Sequence, residues 1–91
     1  MYKIIRTITK FSDASQQKII DIESTCVSPF LTSKEESIAY LDRRIRKDLK
    51  LGEEKFLRIT METTDYSISV YDNILYKYEI EKVEITADII S

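Results

Sequence analysis

A stripe of apolar side chains at helical spacing is the strongest constraint that this sequence places on its fold. Its members are separated by three, four and four residues: Ile38, Leu41, Ile45 and Leu49. This spacing puts all four on one face of an α-helix over residues 33–51, and that face must pack against another element of the fold.

Both ends of this helix carry capping signals. Ser33 with Glu36 three residues later fits a capping box, and Thr32 with Glu35 fits an alternative box one residue earlier. Gly52 is predicted to be the left-handed residue that ends the helix. Because stripe and caps agree, the helix over 33–51 is the clearest element of the chain.

Alternating apolar and polar residues predict strands on both sides of this helix. The predicted strands cover residues 2–10, 55–63, 66–70 and 74–85, with turn residues at 64–65 and 72–73. Isoleucines on both faces of residues 2–10 indicate a central strand. A change of phase near Lys82 predicts a bulge or bend in the last strand.

Residues 14–25 are predicted as a first helix, capped by Ser12. Helical spacing places Ile19, Ile22 and Cys26 on one face, although the run 19–22 could also extend as a strand. Cys26 is predicted to be a small buried apolar residue, because the chain has no histidine to activate it as a nucleophile.

The fold class that follows is α+β, in one domain over residues 1–91. Its predicted order is β-α-α-β-β-β, with a mainly antiparallel sheet and the helices packed on one face. A single cysteine permits no internal disulfide, and no stretch is long and apolar enough for a signal peptide or a membrane span. We therefore expect a cytoplasmic protein with no membrane partner.

Most catalytic and metal-binding chemistry is excluded by composition. With no histidine, one cysteine and one glycine, the chain has no Ser-His-Asp or Cys-His arrangement, no thiolate zinc site and no glycine-rich phosphate loop. Catalysis by carboxylates alone stays open, because the chain has 16 acidic residues. We expect a binding protein without cofactors or catalytic residues.

Charge is divided unevenly along the chain. Residues 1–52 have ten Lys/Arg and seven Asp/Glu, for a net charge of +3, whereas residues 53–91 have four and nine, for −5. The acidic half contains Glu79 and Glu81 on one strand face, with further acids at positions 62, 65, 72, 84 and 88. The predicted protein-binding surface consists of Tyr71, Glu79, Glu81 and Glu84, because interfaces are rich in tyrosine and carboxylates complement a basic partner.

A basic helix face is the alternative binding surface. Its cations are Arg43, Arg46, Lys47 and Lys50, which share one side of the helix and could contact nucleic-acid phosphates. They could equally form a solvated face that suits the helix C-terminus, with Asp42 paired to Arg46. The acidic overall balance, with a pI near 5.2, favours the second interpretation.

Fifteen isoleucines, three alanines and one glycine give this chain a composition similar to that of small accessory proteins from phages and mobile elements of AT-rich bacteria. The leading hypothesis is a protein-binding regulator or inhibitor of a larger, basic, nucleic-acid-handling protein. A nucleic-acid-binding accessory protein is the second hypothesis. A self-associating structural protein that forms a homodimer is the third.

Overall fold

A computed structural model describes residues 1–84 of the 91-residue chain. Within these residues, one helix and four strands follow in the order β1 (Tyr2–Phe11), β2 (Ile19–Cys26), α1 (Lys34–Leu49), β3 (Asp65–Tyr71) and β4 (Ile74–Lys82). The strands form one open antiparallel sheet in the order β2-β1-β4-β3, and α1 packs on one face. The α+β class is confirmed, whereas the predicted order with two helices is wrong.

The start of α1 uses the predicted Ser33–Glu36 signal, whereas Thr32 bonds to Glu36 and not to Glu35 as the alternative box required. The Ser33 side chain accepts a hydrogen bond from the Glu36 backbone N–H at 3.1 Å, as the predicted box requires. The Glu36 carboxylate accepts from the Thr32 backbone N–H at 3.1 Å and also from its hydroxyl. The first of these bonds satisfies a backbone donor that the first turn of a helix leaves free, and the others tie the residue before the N-cap to the helix.

α1 ends at Leu49, two residues earlier than predicted. Lys50, with φ 55°, takes the left-handed conformation expected of Gly52. The Leu51 backbone N–H then donates to the Arg46 carbonyl oxygen at 2.9 Å, which is the 6→1 hydrogen bond of a Schellman motif. This early turn returns Leu51 to the core and explains why the helix does not continue to Gly52.

The core lies between α1 and the centre of the sheet. Its buried residues are Ile4, Leu31, Leu41, Ile45, Leu57, Tyr78 and Ile80. Leu41 and Ile45 belong to the predicted stripe and are fully buried, while Ile38 and Leu49 are partly buried at its margin. The predicted central position of the first strand is confirmed, since β1 lies between β2 and β4.

Residues 19–26 form a strand, so the prediction of a helix over 14–25 is wrong. Asp13 accepts from the Ser15 backbone N–H at 2.9 Å and Gln16 has a φ of 57°, which gives a tight loop where the helix was expected. The β-branched residues that follow pair with β1 in antiparallel register. Cys26 is exposed rather than buried, because it lies on this edge strand.

The predicted strand over residues 55–63 is also absent from the part of the chain that the structure describes. Local bonds replace sheet pairing there: the Thr63 backbone N–H donates to the Thr60 carbonyl oxygen at 3.0 Å. Leu57 and Ile59 still point into the core as their alternation predicts, but Met61 is 47 % exposed. The segment covers the core without joining the sheet.

The hairpin between β3 and β4 follows the prediction at its turn, which lies at residues 72–73. β4 ends at Lys82, where a bulge or bend was predicted, and the Val83 backbone N–H still donates to the Met1 carbonyl oxygen at 2.8 Å. The predicted continuation of this strand to Ile85 and the acidic residue Asp88 lie outside the described residues.

Candidate functional site

The predicted acidic surface is not a single cluster in the structure. Glu79 and Glu81 share the sheet face opposite α1, as expected from their spacing on β4. Tyr71 is 67 % exposed but pairs with Ile74 at the hairpin end, five residues along β4 from Glu79, a separation of roughly 17 Å. Glu84 is exposed beyond the end of β4.

Basic neighbours partly neutralise the two glutamates. Lys3 lies opposite Glu81 across the β1–β4 pair, with their charged atoms 3.7 Å apart, and Lys77 reaches Glu79 at 3.9 Å on the same strand. These side chains are all about 36–48 % exposed, so each pair interacts weakly through solvent. The face therefore carries mixed charge rather than the acidic surface that was predicted.

The basic helix face is divided differently from the prediction. Arg46 is drawn away from it, since its guanidinium pairs with Asp42 and also donates to the Gly52 carbonyl oxygen at 2.6 Å. Arg43, Lys47 and Lys50 remain exposed, and none of them forms an ion pair with another described residue. The predicted Asp42–Arg46 pair is confirmed.

A polar cluster that joins α1 to the sheet has no counterpart among the predicted sites. One carboxylate oxygen of Asp48, Oδ2, accepts from Arg6 Nη1 at 2.9 Å and from the Tyr78 hydroxyl at 2.8 Å. Arg44, one helical turn before Asp48, donates from Nε at 3.2 Å. The Asp48 side chain is only 9 % exposed, so this single carboxylate holds three donors at the edge of the core.

The environment of Asp48 shifts two pKa values. Burial alone would raise the pKa of its carboxyl, but hydrogen bonds from Tyr78 and Arg6, together with the charges of Arg44 and Arg6, outweigh burial and lower it. Burial and the bond to Asp48 raise the pKa of the Tyr78 hydroxyl. Asp48 is thus ionised and Tyr78 protonated near neutral pH, which keeps the bond between them intact.

Acid is expected to weaken this cluster. A carboxyl whose folded pKa is lowered stabilises the fold fully above the unfolded pKa, about 3.9 for aspartate, and loses that contribution as the pH falls through the folded pKa. We expect the difference in free energy of unfolding between wild type and Asp48→Asn to be constant from about pH 7 to pH 5 and to shrink below about pH 4. Urea titrations at pH 7, 5 and 3 measure it, and a difference as large at pH 3 as at pH 7 contradicts the assignment. Comparing the two proteins cancels the other carboxyls with lowered pKa values, Asp13 and Glu36.

The outer side of β2 is the most open surface of the sheet. All eight residues of this strand are exposed, and no described residue pairs with its outer edge. Ile19, Ile20 and Ile22 are 54, 61 and 59 % exposed. A long edge strand with exposed apolar side chains is a template for pairing with another chain.

Backbone hydrogen bonding decides which groups of β2 point outward. The Val27 N–H donates to the Ile4 carbonyl oxygen at 2.9 Å, which shows that the even-numbered residues of β1 direct their backbone groups toward β2. Hydrogen-bonded and non-hydrogen-bonded pairs alternate along an antiparallel ladder. Glu23, opposite Ile8, therefore bonds to β1 through its backbone, whereas Ile22 and Ser24 direct their N–H and C=O groups away from β1. The 2.8 Å bond between the Ser24 and Thr7 hydroxyls fits the closer side chains of a non-hydrogen-bonded pair.

The two sides of β2 differ in chemistry. Asp21 and Glu23 lie on the same sheet face as α1, opposite Lys10 and Ile8 of β1, and neither forms an ion pair with another described residue. Ile22, Ser24 and Cys26 lie on the other face. β2 has no basic residue and no proline, the two residue types that commonly protect an edge strand.

Sequence reasoning missed this edge because it assigned the segment to a helix. The signal lies in the three isoleucines at positions 19, 20 and 22, which also fit an extended strand.

No group of three or more His, Cys, Asp or Glu side chains among the described residues is placed to hold a metal ion. Within residues 1–84, α1 is neither long nor apolar enough to cross a membrane. Comparison with protein-family models, with curated proteins and with solved structures finds no match to this chain.

Proposed function

We propose that this chain is a protein-binding module that takes an extended segment of a partner protein as a fifth strand along β2. The observation that carries the proposal is the exposed outer edge of β2, with outward backbone groups at Ile22 and Ser24 and exposed isoleucines beside them. Strand addition gains affinity from backbone hydrogen bonds and specificity from alternate side chains.

The other edge of the sheet is less suited to this role. Along β3, Tyr66, Ile68 and Val70 are half-buried, while the residues between them are exposed and polar. A strand added beside β3 would therefore meet exposed serines rather than exposed isoleucines. This contrast favours β2 as the docking edge.

The negative charges on β2 indicate which residue types a partner strand should carry. The unpaired acids Asp21 and Glu23 line one face of β2, so a partner strand with Lys or Arg at alternate positions would place cations beside them. Its other positions, beside Ile22, would be apolar. The partner is therefore an alternating basic and apolar segment, which agrees with the hypothesis of a regulator or inhibitor that binds a basic nucleic-acid-handling protein.

The same acids disfavour pairing between two copies of this chain. Among the registers in which a two-fold axis perpendicular to the sheet pairs β2 with itself, those centred on Ile22 or Glu23 pair the most residues, and one centred on Asp21 pairs fewer. These registers place Asp21 opposite Asp21, Asp21 opposite Glu23, or Glu23 opposite Glu23, and like charges directly opposite destabilise a strand pair. A homodimer through β2 is thus the weaker alternative, and light scattering of the purified protein tests it.

A labelled peptide that alternates lysine with valine over nine residues tests the proposal. We expect saturable binding by fluorescence anisotropy, and we expect Ser24→Pro to weaken it at least about tenfold, or 1.4 kcal/mol. Proline removes the outward N–H at this position but no bond of the β1–β2 ladder. NMR amide shifts should change along β2 and not along β3.

Ser24→Ala is the matched control, because it also loses the bond to Thr7 but keeps the outward N–H. We expect it to bind the peptide like the wild type. A peptide with glutamate in place of lysine should bind far more weakly. Equal affinity of the proline and alanine variants, or shifts confined to β3, would place the docking edge elsewhere.

A further inference from the structure

The outer side of α1 has a shallow cavity of about 170 Å³ that is lined by three cationic side chains and one aromatic ring. The lining residues are Tyr40, Arg43, Arg44 and Lys47. Of the helix cations predicted from the sequence, Arg43 and Lys47 belong to it, Arg46 and Lys50 do not, and Arg44 is added.

The acids of α1 neutralise this cavity only in part: Asp48 pairs with Arg44, whereas no acid within residues 1–84 forms an ion pair with Arg43 or Lys47. Asp48 is committed to Arg6, Tyr78 and Arg44, and Asp42 to Arg46. Between residues 42 and 50, five Lys/Arg and two Asp leave a net charge of +3. The exposed charge of Arg43, Lys47 and Lys50 is therefore available to an anion despite the acidic balance of the whole chain.

The free cations form a row along α1. Lys47 follows Arg43 by four residues, which is roughly 6 Å along the helix axis at about 1.5 Å per residue, and Lys50 follows directly after the last residue of α1. A row of three positive charges suits a short stretch of one phosphodiester backbone rather than a single small anion.

Tyr40 adds an aromatic surface beside this row. Its hydroxyl donates to the Val27 carbonyl oxygen at 3.1 Å, which fixes the ring, and the Arg43 guanidinium lies 5.8 Å from the ring centroid. A ring held in place loses little conformational freedom on binding, and the Arg43 guanidinium that lies over the ring can itself take part in stacking with a base. Unpaired bases stack on such rings, whereas the paired bases of a duplex are enclosed in their own stack.

We propose that this cavity and the cation row bind single-stranded nucleic acid, with Arg43, Lys47 and Lys50 on the phosphates and Tyr40 against a base. Three phosphate contacts imply that log Kd rises with log salt concentration with a slope of about 2, or roughly 16-fold between 50 and 200 mM NaCl. The binding is expected to be tolerant of sequence, because neither phosphates nor stacking faces distinguish the bases.

Fluorescence anisotropy of a labelled oligo(dT) of twelve nucleotides, titrated with the full chain, tests the proposal. We expect binding at 50 mM NaCl that Arg43→Ala with Lys47→Ala weakens at least about tenfold, with the salt slope falling to about 0.7. The matched control is Lys10→Ala with Lys18→Ala, which makes the same change in net charge at exposed positions outside α1. This control should bind like the wild type, and circular dichroism should show that both double variants are folded.

Three outcomes would overturn the proposal. The first is no binding at 50 mM NaCl, and the second is equal weakening in the two double variants, which would mean attraction to overall charge alone. The third is competition by inorganic phosphate as effective as by unlabelled oligo(dT) at equal phosphate concentration, which would indicate a site for a single anion. Peptide binding at β2 is measured independently, so either site can fail without the other.

Discussion

Asp48→Ala is expected to lower the free energy of unfolding by about 3 kcal/mol. The substitution removes the one acceptor shared by Arg6, Arg44 and Tyr78. Breaking a buried ion pair by removing one partner costs about 3–5 kcal/mol, because the remaining charge stays desolvated. The lower end applies here, since the Arg6 side chain is 21 % exposed and water can reach part of the guanidinium.

A loss of this size is severe for such a small protein. At the usual 0.05–0.15 kcal/mol per residue, a chain of this length has a stability of about 5–13 kcal/mol. Arg6 is also poorly compensated without Asp48, because its Nε is already a buried atom without a hydrogen-bond partner among the described residues. Its guanidinium carbon lies 6.0 Å from the centroid of the Tyr76 ring, which cannot replace the lost carboxylate. The contact of α1 with β1 and β4 therefore depends strongly on this one carboxylate, because its removal leaves buried donors without an acceptor.

Urea unfolding followed by circular dichroism measures the effect, and Asp42→Ala is the matched control. Asp42 pairs with Arg46 at the same i,i+4 spacing, but its side chain is 36 % exposed, so its loss should cost no more than about 0.5 kcal/mol. Asp48→Asn should fall between the two, because the amide can still accept from Tyr78. Equal losses at positions 42 and 48 would show that Asp48 is only a solvated surface acid.

The elements that the sequence predicts correctly are those with two agreeing local signals. In α1 the apolar stripe and the Ser33 cap coincide, and in β3 and β4 the alternation is bounded by turn residues at 72–73. The segment 14–25 had conflicting signals, with an N-cap residue before a run of isoleucines. The second half of this segment is a strand because it pairs with the central strand β1, and that pairing is a tertiary interaction.

The candidate sites were harder to predict because they depend on register and on the end of the helix. Arg6 and Asp48 are 42 residues apart, and nothing local to either residue indicates their contact. Lys3 lies opposite Glu81 only because β1 and β4 pair in one particular register. The Arg46 guanidinium does not lie on the basic face, because α1 ends early enough for it to reach the Gly52 carbonyl oxygen. The residue types were visible in the sequence, whereas their partners were not.

Ile45→Ala and Ile22→Ala make the same chemical change at opposite extremes of burial, and their comparison tests the fold and the proposed docking edge together. Ile45 is fully buried in the core between α1 and the sheet, so its truncation should cost about 2–5 kcal/mol from lost burial and the cavity left behind.

Ile22 is 59 % exposed on an edge strand, so its truncation should cost less than about 1 kcal/mol, chiefly through lower strand propensity. Urea unfolding gives both values. The alternating lysine–valine peptide should nevertheless bind more weakly to Ile22→Ala, because Ile22 supplies apolar contact to the added strand. A side chain that contributes little to stability but much to peptide affinity is what a binding edge requires. If Ile22→Ala instead destabilises the fold as much as Ile45→Ala, then β2 is covered in the folded protein and cannot be the docking edge.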